Sequence, residues 1–223
     1  MLKINEDGVK YVLHQAKEND VKFIRLWFSD ILGNLKGFSI TIEELERGLS
    51  NGISFDGSSI EGFARSDERD LYAFPDPNTF SLIPWKSGTT TVARIFCDIY
   101  TPENNSFEGD PRYVLRRNLQ RATEMGYTYY VAPEMEHFYF KSNKTTEPID
   151  LEGYFDQLDN SFSGELRNET VLALEEFGIP VGSTHHEASS SQHEIDLRHT
   201  DALTMADTVM TYRLVVKEIA KKY

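Results

Sequence analysis

Residues 185–198 read HHEASSSQHEIDLR, two short extended runs joined by a polar turn. The segments 181–187 and 193–198 have the composition of strands, and the three serines between them, at 189–191, are turn-forming residues. If the two strands are neighbours, Glu187 and Glu194 lie at or near the ends of one hairpin. We therefore expect their carboxylates to reach a single metal ion together.

A second acidic pair occurs upstream, in the run YYVAPEMEHFYF at residues 129–140. We predict one long strand over 127–140, and alternate residues of a strand share a face, so Glu134 and Glu136 project side by side. Two close carboxylates resist joint ionisation unless a cation compensates, and oxygen ligands suit Mg²⁺ or Mn²⁺ better than Zn²⁺. A solvated strand face is the alternative for either pair alone. The coincidence of two pairs, with histidines beside both, favours a metal.

Both helices and strands are predicted along the rest of the chain. The predicted strands are 22–29 and 35–41, which form a hairpin, and 91–100. The first two predicted helices are 7–18 and 42–49, the second behind a capping box of Thr41 and Glu44. A third helix, with an apolar stripe, is capped by Asp110 and has Pro111 at its first position. The last two are 164–177, which ends before Gly178, and a final helix that Thr200 caps. The polar segment 101–111, TPENNSFEGDP, is the candidate linker.

The composition narrows the classes of function. The chain has 223 residues, 39% of them hydrophobic, which is enough for one large domain or two modest ones. A net charge of −13 argues against a nucleic-acid partner. No apolar run approaches the roughly 18 residues of a membrane-spanning helix, and the first residues carry no hydrophobic leader. The single cysteine, Cys97, is predicted to be a buried structural thiol.

A short loop, DGSS at residues 56–59, adds a weaker signal. On its own it is typical of a plain Asx or serine turn. It lacks the lysine of a phosphate-binding P-loop, and the chain contains no nucleophile elbow. The loop gains meaning only together with the other motifs.

Taken together, these segments resemble type I glutamine synthetase over essentially the whole chain. Long motifs occur in the family's order: DGSSIEGFAR (56–65), LYAFPDPNTFSLIPW (71–85), APEMEHFYF (132–140), GYFD (153–156) and HHEASSSQHEIDLRHTDALTMAD (185–207). The resemblance implies an α+β fold, with a small β-grasp domain at 1–105 and the first part of an α/β catalytic domain at 106–223. Because family enzymes are much longer, we expect the chain to be a truncated, N-terminal half.

The resemblance also implies an ATP-dependent ligase. The family joins ammonia to glutamate through a γ-glutamyl phosphate, with ATP as co-substrate and Mg²⁺ or Mn²⁺ as cofactor. Carried over by motif, Glu136, Glu187 and Glu194 would hold the metal nearer the glutamate. Glu134 would be one ligand of the metal nearer the ATP phosphates. No residue of this chain is assigned to the nucleotide itself.

Two further residues follow from the resemblance. Asp56 would hold the ammonium ion or take its proton, with Ser59 nearby. In the family, the β-grasp domain of one subunit supplies this loop to the next subunit of stacked hexameric rings. The parent protein is therefore expected to be a cytoplasmic homododecamer that binds glutamate, ammonia and ATP, without nucleic-acid or membrane partners. The isolated fragment is expected to be inactive.

The sequence departs from the family at two places. Gly182 stands where the family usually has a glutamate that contacts the nucleotide, and the serines at 189–191 replace a turn that often contains proline. Three alternatives therefore stay open. They are a related γ-glutamyl–amine ligase, a non-catalytic truncated homologue that acts as an assembly or interaction module, and a simple metal-binding or phosphotransfer domain of another family.

Overall fold

The computed structural model describes residues 5–60, 70–85, 90–157 and 161–223, which form two compact units. The N-terminal unit is Met1–Thr128 and the C-terminal unit is Tyr129–Tyr223. Both units contain helices and strands, which confirms the predicted α+β class. Among the described residues, no helix is both long and apolar enough to span a bilayer.

The N-terminal unit is built on a mixed sheet. Its strands are β1 (Val21–Ser29), β2 (Leu35–Thr41), β3 (Ile53–Asp56), β4 (Asp70–Pro75), β5 (Ser81–Leu82) and β6 (Thr91–Tyr100). The order across the sheet is β2-β1-β6-β4-β3, and β5 pairs with β6 outside this path. Strands β1 and β6 are parallel, whereas β1 and β2 form the predicted antiparallel hairpin. The strand predicted at 91–100 is also confirmed.

In the described ranges, three α-helices accompany this sheet: α1 (Glu6–Glu18), α2 (Leu45–Asn51) and α3 (Pro111–Glu124). The helix predicted at 7–18 is confirmed, and Asn5 caps it by accepting a hydrogen bond from the Gly8 N–H. The capping box predicted at Thr41 is wrong, because its side chain makes no capping hydrogen bond. A 3-10 turn (Ile42–Glu44) leads into α2 instead, so no α-helical N-terminus begins at Thr41.

The core of the N-terminal unit joins α1 to the central strands. Val12 and Ala16 of α1 belong to one buried cluster with Ile24 of β1 and Ile95 of β6. Each fully buried valine or isoleucine side chain stabilises the fold by roughly 1.5–3 kcal/mol. Cys97 lies in the same cluster, which confirms that it is a buried thiol.

Helix α3 is attached to the sheet by charged groups. Asp110 caps it as predicted, with one carboxylate oxygen accepting from the Arg112 N–H and the other from the Ile99 N–H, each at 3.0 Å. Its predicted apolar stripe is half-buried at Leu115, Leu119 and Ala122, whereas Val114 is 38% exposed, and Arg112 is the one buried residue of the helix. The segment before α3 consists of turns, in which Phe107 packs against the core. The domain boundary at 105/106 stays a prediction, because the compact units divide only after α3.

The described part of the C-terminal unit contains two small sheets and two long helices. Its elements are β7 (Tyr130–Val131), β8 (Glu134–Phe138), α4 (Phe162–Glu176), β9 (Val181–His186), β10 (Gln192–Leu197), β11 (Thr200–Asp201) and α5 (Ala202–Lys222). The larger sheet has the order β8-β10-β9 and is antiparallel throughout, and β11 pairs with β7. The hairpin predicted from the HHEASSSQHEIDLR stretch is therefore confirmed as β9 and β10.

Two predictions for this unit are wrong. The strand predicted over 127–140 is divided into β7 and β8, which belong to different sheets, because Pro133 between them has no N–H for a ladder. The cap of the last helix is Asp201, whose side chain accepts from the Thr204 N–H, and Thr200 lies in β11. The helix predicted at 164–177 is confirmed as α4, and Gly178 ends it with φ of +75°.

Candidate functional site

One face of the β8-β10-β9 sheet carries four carboxylates in two cross-strand pairs. Glu136 of β8 lies directly opposite Glu194 of β10, and Glu134 lies opposite Asp196. Opposed residues of an antiparallel pair point to the same face, with Cβ atoms about 5 Å apart. Because alternate residues of each strand also share a face, the four acidic side chains form a compact array.

The Glu194 carboxyl is the most enclosed member of this array, with 6% of the residue exposed. Burial raises its pKa to about 8, and hydrogen bonds to Asp196 and Glu187, together with their negative charges, act in the same direction. Glu187 follows β9 at the turn, and its side chain meets Glu194 as the sequence predicted. At neutral pH the group of three carboxyls therefore retains a proton or requires a cation.

Neutral and basic neighbours orient the acidic side chains. The Gln192 amide donates to Glu136, and the Ser183 hydroxyl donates to Asp196. The His185 ring lies between two carboxylates, with Nδ1 3.7 Å from Glu187 and Nε2 3.5 Å from Glu194. Such contacts limit the rotamers of the carboxylates and keep their oxygens directed into the array.

The donor set fits a divalent cation. His185, Glu194 and Asp196 offer ligand atoms within 4.8 Å of one another, and Glu136 and Glu187 border the same place. Crowded carboxylate oxygens are the ligands that Mg²⁺ and Mn²⁺ accept, and a cation would relieve the repulsion that holds a proton on Glu194. The structure thus brings three predicted residues together, while Glu134 lies one pair further along the same face.

Sequence reasoning missed Asp196 and His185 as members of the array. Asp196 could have been identified from the pattern, because it follows Glu194 by two residues, as Glu136 follows Glu134. His185 was harder to identify from the sequence, because the face of the sheet to which it points depends on how β9 and β10 are paired. The observed pairing places it opposite Glu194.

The other predicted site residues lie in the N-terminal unit. Asp56 is the last residue of β3, and its Oδ1 accepts hydrogen bonds from the Ser58 N–H at 2.8 Å and the Ser58 hydroxyl at 2.6 Å. Ser59 follows in a turn. This is the Asx turn that the loop composition indicates. The rest of the DGSSIEGFAR motif, from residue 61 onward, lies outside the described residues. The roles assigned to Asp56 and Ser59 stay predictions.

The opposite face of the same sheet holds a buried polar network that the sequence did not reveal. His186 and His193 are fully buried and lie opposite each other on β9 and β10. Both rings face the Asp150 carboxylate, with His186 Nε2 at 2.9 Å and His193 Nε2 at 3.5 Å. Arg167 donates to His193 Nδ1 at 2.8 Å. Burial, and then the Arg167 charge, lower the pKa of His193 to about 3.

Comparisons with known proteins agree with this arrangement. A family model described as the β-grasp domain of glutamine synthetase matches residues 20–102, and one described as the catalytic domain matches 108–223. The two matches define the class of protein, in which a β-grasp domain is followed by a catalytic domain. In this chain the acidic sheet face lies within the residues matched by the catalytic domain. The chain belongs to the glutamine synthetase family, a family of ligases that use ATP and divalent metal.

Relatives of known name support the assignment. The chain is 48% identical over 217 residues to a glutamine synthetase of Mycolicibacterium smegmatis, and 47% identical over 208 residues to one of Thermotoga maritima. The first alignment covers 95% of this chain and 49% of the relative, so the chain spans about half the length of the curated relatives it matches.

Solved structures with low sequence identity share the fold. The Plasmodium falciparum glutamine synthetase superposes with a TM-score of 0.84 at 23% identity, covering 99% of this chain and 49% of that one. A ligand-free structure of a protein called GmaS gives a TM-score of 0.85 at 23% identity, covering 94% of this chain and 50% of that one.

Proposed function

We propose that the protein to which this chain belongs ligates ammonia to glutamate at the expense of ATP and forms glutamine. The observation that carries the proposal is the opposition of Glu136 and Glu194, with the Glu187 carboxylate hydrogen bonded to Glu194. An oxygen-rich array of this kind suits chemistry on phosphate groups, whose charge must be offset. Membership of the glutamine synthetase family supports the same reaction.

The chemistry explains why ATP is needed. The γ-carboxylate of glutamate is a poor electrophile, and phosphoryl transfer converts it to an acyl phosphate with a good leaving group. Ammonia then attacks the γ-carbon, and the C–O bond to phosphate breaks as the C–N bond forms, giving glutamine and inorganic phosphate. A bound Mg²⁺ or Mn²⁺ supplies positive charge next to the transferring phosphate.

Each predicted residue has a part in this scheme. Glu136, Glu187 and Glu194 would hold the cation nearer the glutamate, and Glu134 would be one ligand of the cation nearer the ATP phosphates. Asp56, with Ser59 nearby, holds the ammonium ion or removes its proton, for which a carboxylate must be held close to its target. Gln192 and Ser183 orient the acidic face through the hydrogen bonds described above.

The assembly and setting belong to the same proposal. We expect the parent protein to be a cytoplasmic homododecamer in which the loop of Asp56 completes the active site of a neighbouring subunit. A 223-residue chain by itself is expected to be inactive, because it supplies only part of the metal ligands. Synthetase turnover by the isolated chain at the rate of the full-length parent would contradict this expectation.

A related γ-glutamyl–amine ligase is the second candidate, and Gly182 is the observation that favours it. The residue is exposed, and a Cβ atom there would meet the Asp196 carbonyl oxygen at 3.5 Å, an ordinary contact. The strand therefore has room for a side chain that it does not carry. The absence of the family's glutamate at this position leaves the amine substrate to be tested.

The decisive experiment supplies the full-length parent with ATP, Mg²⁺ and glutamate, and with either ammonia or a primary amine. Mass spectrometry of the products separates glutamine from N-substituted glutamine. We expect glutamine from ammonia, at a higher kcat/KM than any amine product. A parent that converts amines but not ammonia would support the second candidate and overturn the first.

A further inference from the structure

Beneath the acidic face, one loop carboxylate is connected to both ends of the turn that carries Glu187. Asp150 Oδ1 accepts hydrogen bonds from the Ser191 N–H at 2.8 Å and from His186 Nε2 at 2.9 Å. In return, the Ser191 hydroxyl accepts from the N–H groups of Ile149 and Asp150 at 2.7 and 3.0 Å. The turn and the loop thus bind each other at four points.

The network reaches Glu187 through His186. Its Nδ1 lies 2.7 Å from the backbone carbonyl oxygen of Glu187, while its Nε2 faces Asp150. On the other side of Glu187, the backbone N–H donates to the Gln192 carbonyl at 2.8 Å. The N–H of Glu187 is therefore bonded and its carbonyl lies against the His186 ring, so the backbone position of Glu187 depends on both neighbours and its side-chain torsions aim the carboxylate.

The residues of this network are buried, and the turn contains a residue with a strained backbone. His186 and Ser191 are fully buried, and the side chain of Asp150 is only 10% exposed. Ser191 has φ of +60°, a conformation that costs a non-glycine residue of order 1 kcal/mol. Hydrogen bonds in a buried site compete little with water, so the bonds to Asp150 can hold this turn in its strained form.

Asp150, His186 and His193 also offer three atoms within 4.8 Å, which raises the question of a second metal site. The ring protons speak against it. Arg167 donates to His193 Nδ1, so the proton of the neutral ring is on Nε2, the atom that faces Asp150. His186 Nε2 lies 2.9 Å from Asp150, the distance of an N–H that donates to a carboxylate. Each Nε2 atom therefore directs a proton and not a lone pair at Asp150, His193 from 3.5 Å, and we call this arrangement the clamp.

We propose that Asp150 is a positioning residue, which acts through His186 and Ser191 to aim the Glu187 carboxylate at Glu194. The inference rests on the proposed function, because it concerns the metal-holding role of Glu187. Partners behind a metal ligand commonly change metal affinity about 10- to 100-fold when they are removed. Asp150 contacts no carboxylate of the acidic face itself. Besides the turn it contacts the Ser163 hydroxyl and lies 3.5 Å from His193, the neighbour of Glu194, so a readout at Glu187 is needed to identify an effect that passes through the turn.

The test compares Asp150→Asn with Asp156→Asn in the 223-residue chain. Asparagine has nearly the same shape as aspartate, but its amide NH₂ group donates hydrogen bonds and so cannot accept one from the ring N–H of His186 or His193. The control residue lies in the same loop and also accepts a backbone N–H, that of Gly153 at 2.8 Å. Mn²⁺ titration, followed by electron paramagnetic resonance, should show binding about 10- to 100-fold weaker in Asp150→Asn and less than about twofold weaker in the control.

A second readout does not depend on metal. Amide hydrogen exchange at Glu187 reports its bond to the Gln192 carbonyl. We expect faster exchange in Asp150→Asn than in wild type, and no change in Asp156→Asn. Equal Mn²⁺ affinity and equal Glu187 exchange in wild type and Asp150→Asn would overturn the clamp. If the wild-type chain binds no Mn²⁺, the metal site of the proposed function fails, and the exchange result still decides the clamp.

A further variant covers the case in which Asp150→Asn does not fold. Ser191→Gly removes the hydroxyl that accepts from residues 149 and 150, while glycine tolerates the positive φ and so offsets part of the lost stability. We expect it to weaken Mn²⁺ binding and to speed Glu187 exchange in the same direction. A folded Ser191→Gly chain with wild-type values in both measurements would refute the proposal.

Discussion

Glu136 and Glu194 lie directly opposite each other on the antiparallel strands β8 and β10, and both side chains point to the same face. Like charges placed in this way destabilise a sheet. Here the pairing involves the middle strand of the three-stranded sheet, and Glu187 and Asp196 add further negative charge beside Glu194. A sheet that keeps such a pair loses stability unless a cation offsets the repulsion, as we propose above, so the effect of these charges can be measured by unfolding.

Glu194→Gln should stabilise the metal-free chain at pH 8 and abolish its response to Mn²⁺. The pKa of Glu194 is raised from 4.5 to about 8, so the folded state binds more protons than the unfolded state in this range. Stability therefore falls as the pH rises from about 4.5 to 8. Removing the titrating group should recover roughly 1–3 kcal/mol at pH 8 and little at pH 4.5. Urea unfolding at both values measures the difference.

The exposed Glu176 of α4 provides the matched control for this substitution. Glu176→Gln removes the same charge outside the acidic face and should leave both the pH dependence and the Mn²⁺ response unchanged. A wild-type chain whose stability does not fall between pH 4.5 and 8, relative to Glu194→Gln, would contradict the crowding of these carboxylates.

The local patterns of the sequence were sufficient to put Glu134 and Glu136 on one strand and Glu187 and Glu194 on either side of a turn. Alternation of side chains along a strand depends only on backbone geometry, so the side-by-side projection of Glu134 and Glu136 was predictable. The serine turn between Glu187 and Glu194 could be predicted in the same way, because a turn depends on neighbouring residues. The pairing of β8 with β10 could not, because the register that places Glu136 opposite Glu194 depends on packing of the whole unit.

Two other misses have definite physical causes. Pro133 interrupts the ladder, and hydrophobic periodicity alone extended the strand through it. The clamp escaped detection because Asp150 lies in a loop without periodicity, 36 residues from His186 and 41 from Ser191. Only the three-dimensional fold could bring those groups together.

Gly182→Glu should be tolerated by the fold and should strengthen nucleotide binding by the parent protein. The new Cβ meets its nearest neighbour at 3.5 Å, and the position is exposed, so the thermal midpoint of the chain should change by less than the equivalent of about 1 kcal/mol. If the family's glutamate contacts the nucleotide, the full-length variant should bind ATP more tightly in equilibrium titrations. Unchanged ATP affinity would remove Gly182 as the reason to consider another amine substrate.

Arg112→Met should destabilise the N-terminal unit by about 3–5 kcal/mol. The Arg112 guanidinium is buried and pairs with Asp76 at 2.8 Å and with Asp98. Burial opposes ionisation of Asp76, but its bonds to Arg112 outweigh that cost and lower the pKa of the carboxyl. Methionine fills a similar volume without charge and leaves two carboxylates with Arg116 alone. Urea unfolding measures the loss.

The control for Arg112 is Arg117→Met on the exposed side of the same helix. Its side chain lies over the Tyr113 ring at 5.7 Å, a contact worth at most about 1 kcal/mol at an exposed site. If both substitutions cost the same, ion pairs do not anchor α3 to the sheet.

His137→Leu should make the C-terminal unit more resistant to acid. Burial lowers the pKa of His137 from 6.5 to about 4, so between these values the unfolded state binds more protons than the folded state. Stability is therefore fully present above about pH 6.5 and is lost as the pH falls toward 4, by about 3 kcal/mol for this ring. Leucine cannot titrate, and it also removes the buried Nε2 atom, which has no hydrogen-bond partner. The Tyr212 hydroxyl keeps its bond to the Met135 carbonyl at 3.1 Å.

Thermal unfolding measured from pH 7 to 4.5 should show a smaller fall in stability per pH unit, and so a shallower slope, for His137→Leu than for wild type. The exposed His199, replaced by glutamine, should leave the slope unchanged, and equal slopes in all three chains would show that His137 accepts its proton as readily as an exposed histidine.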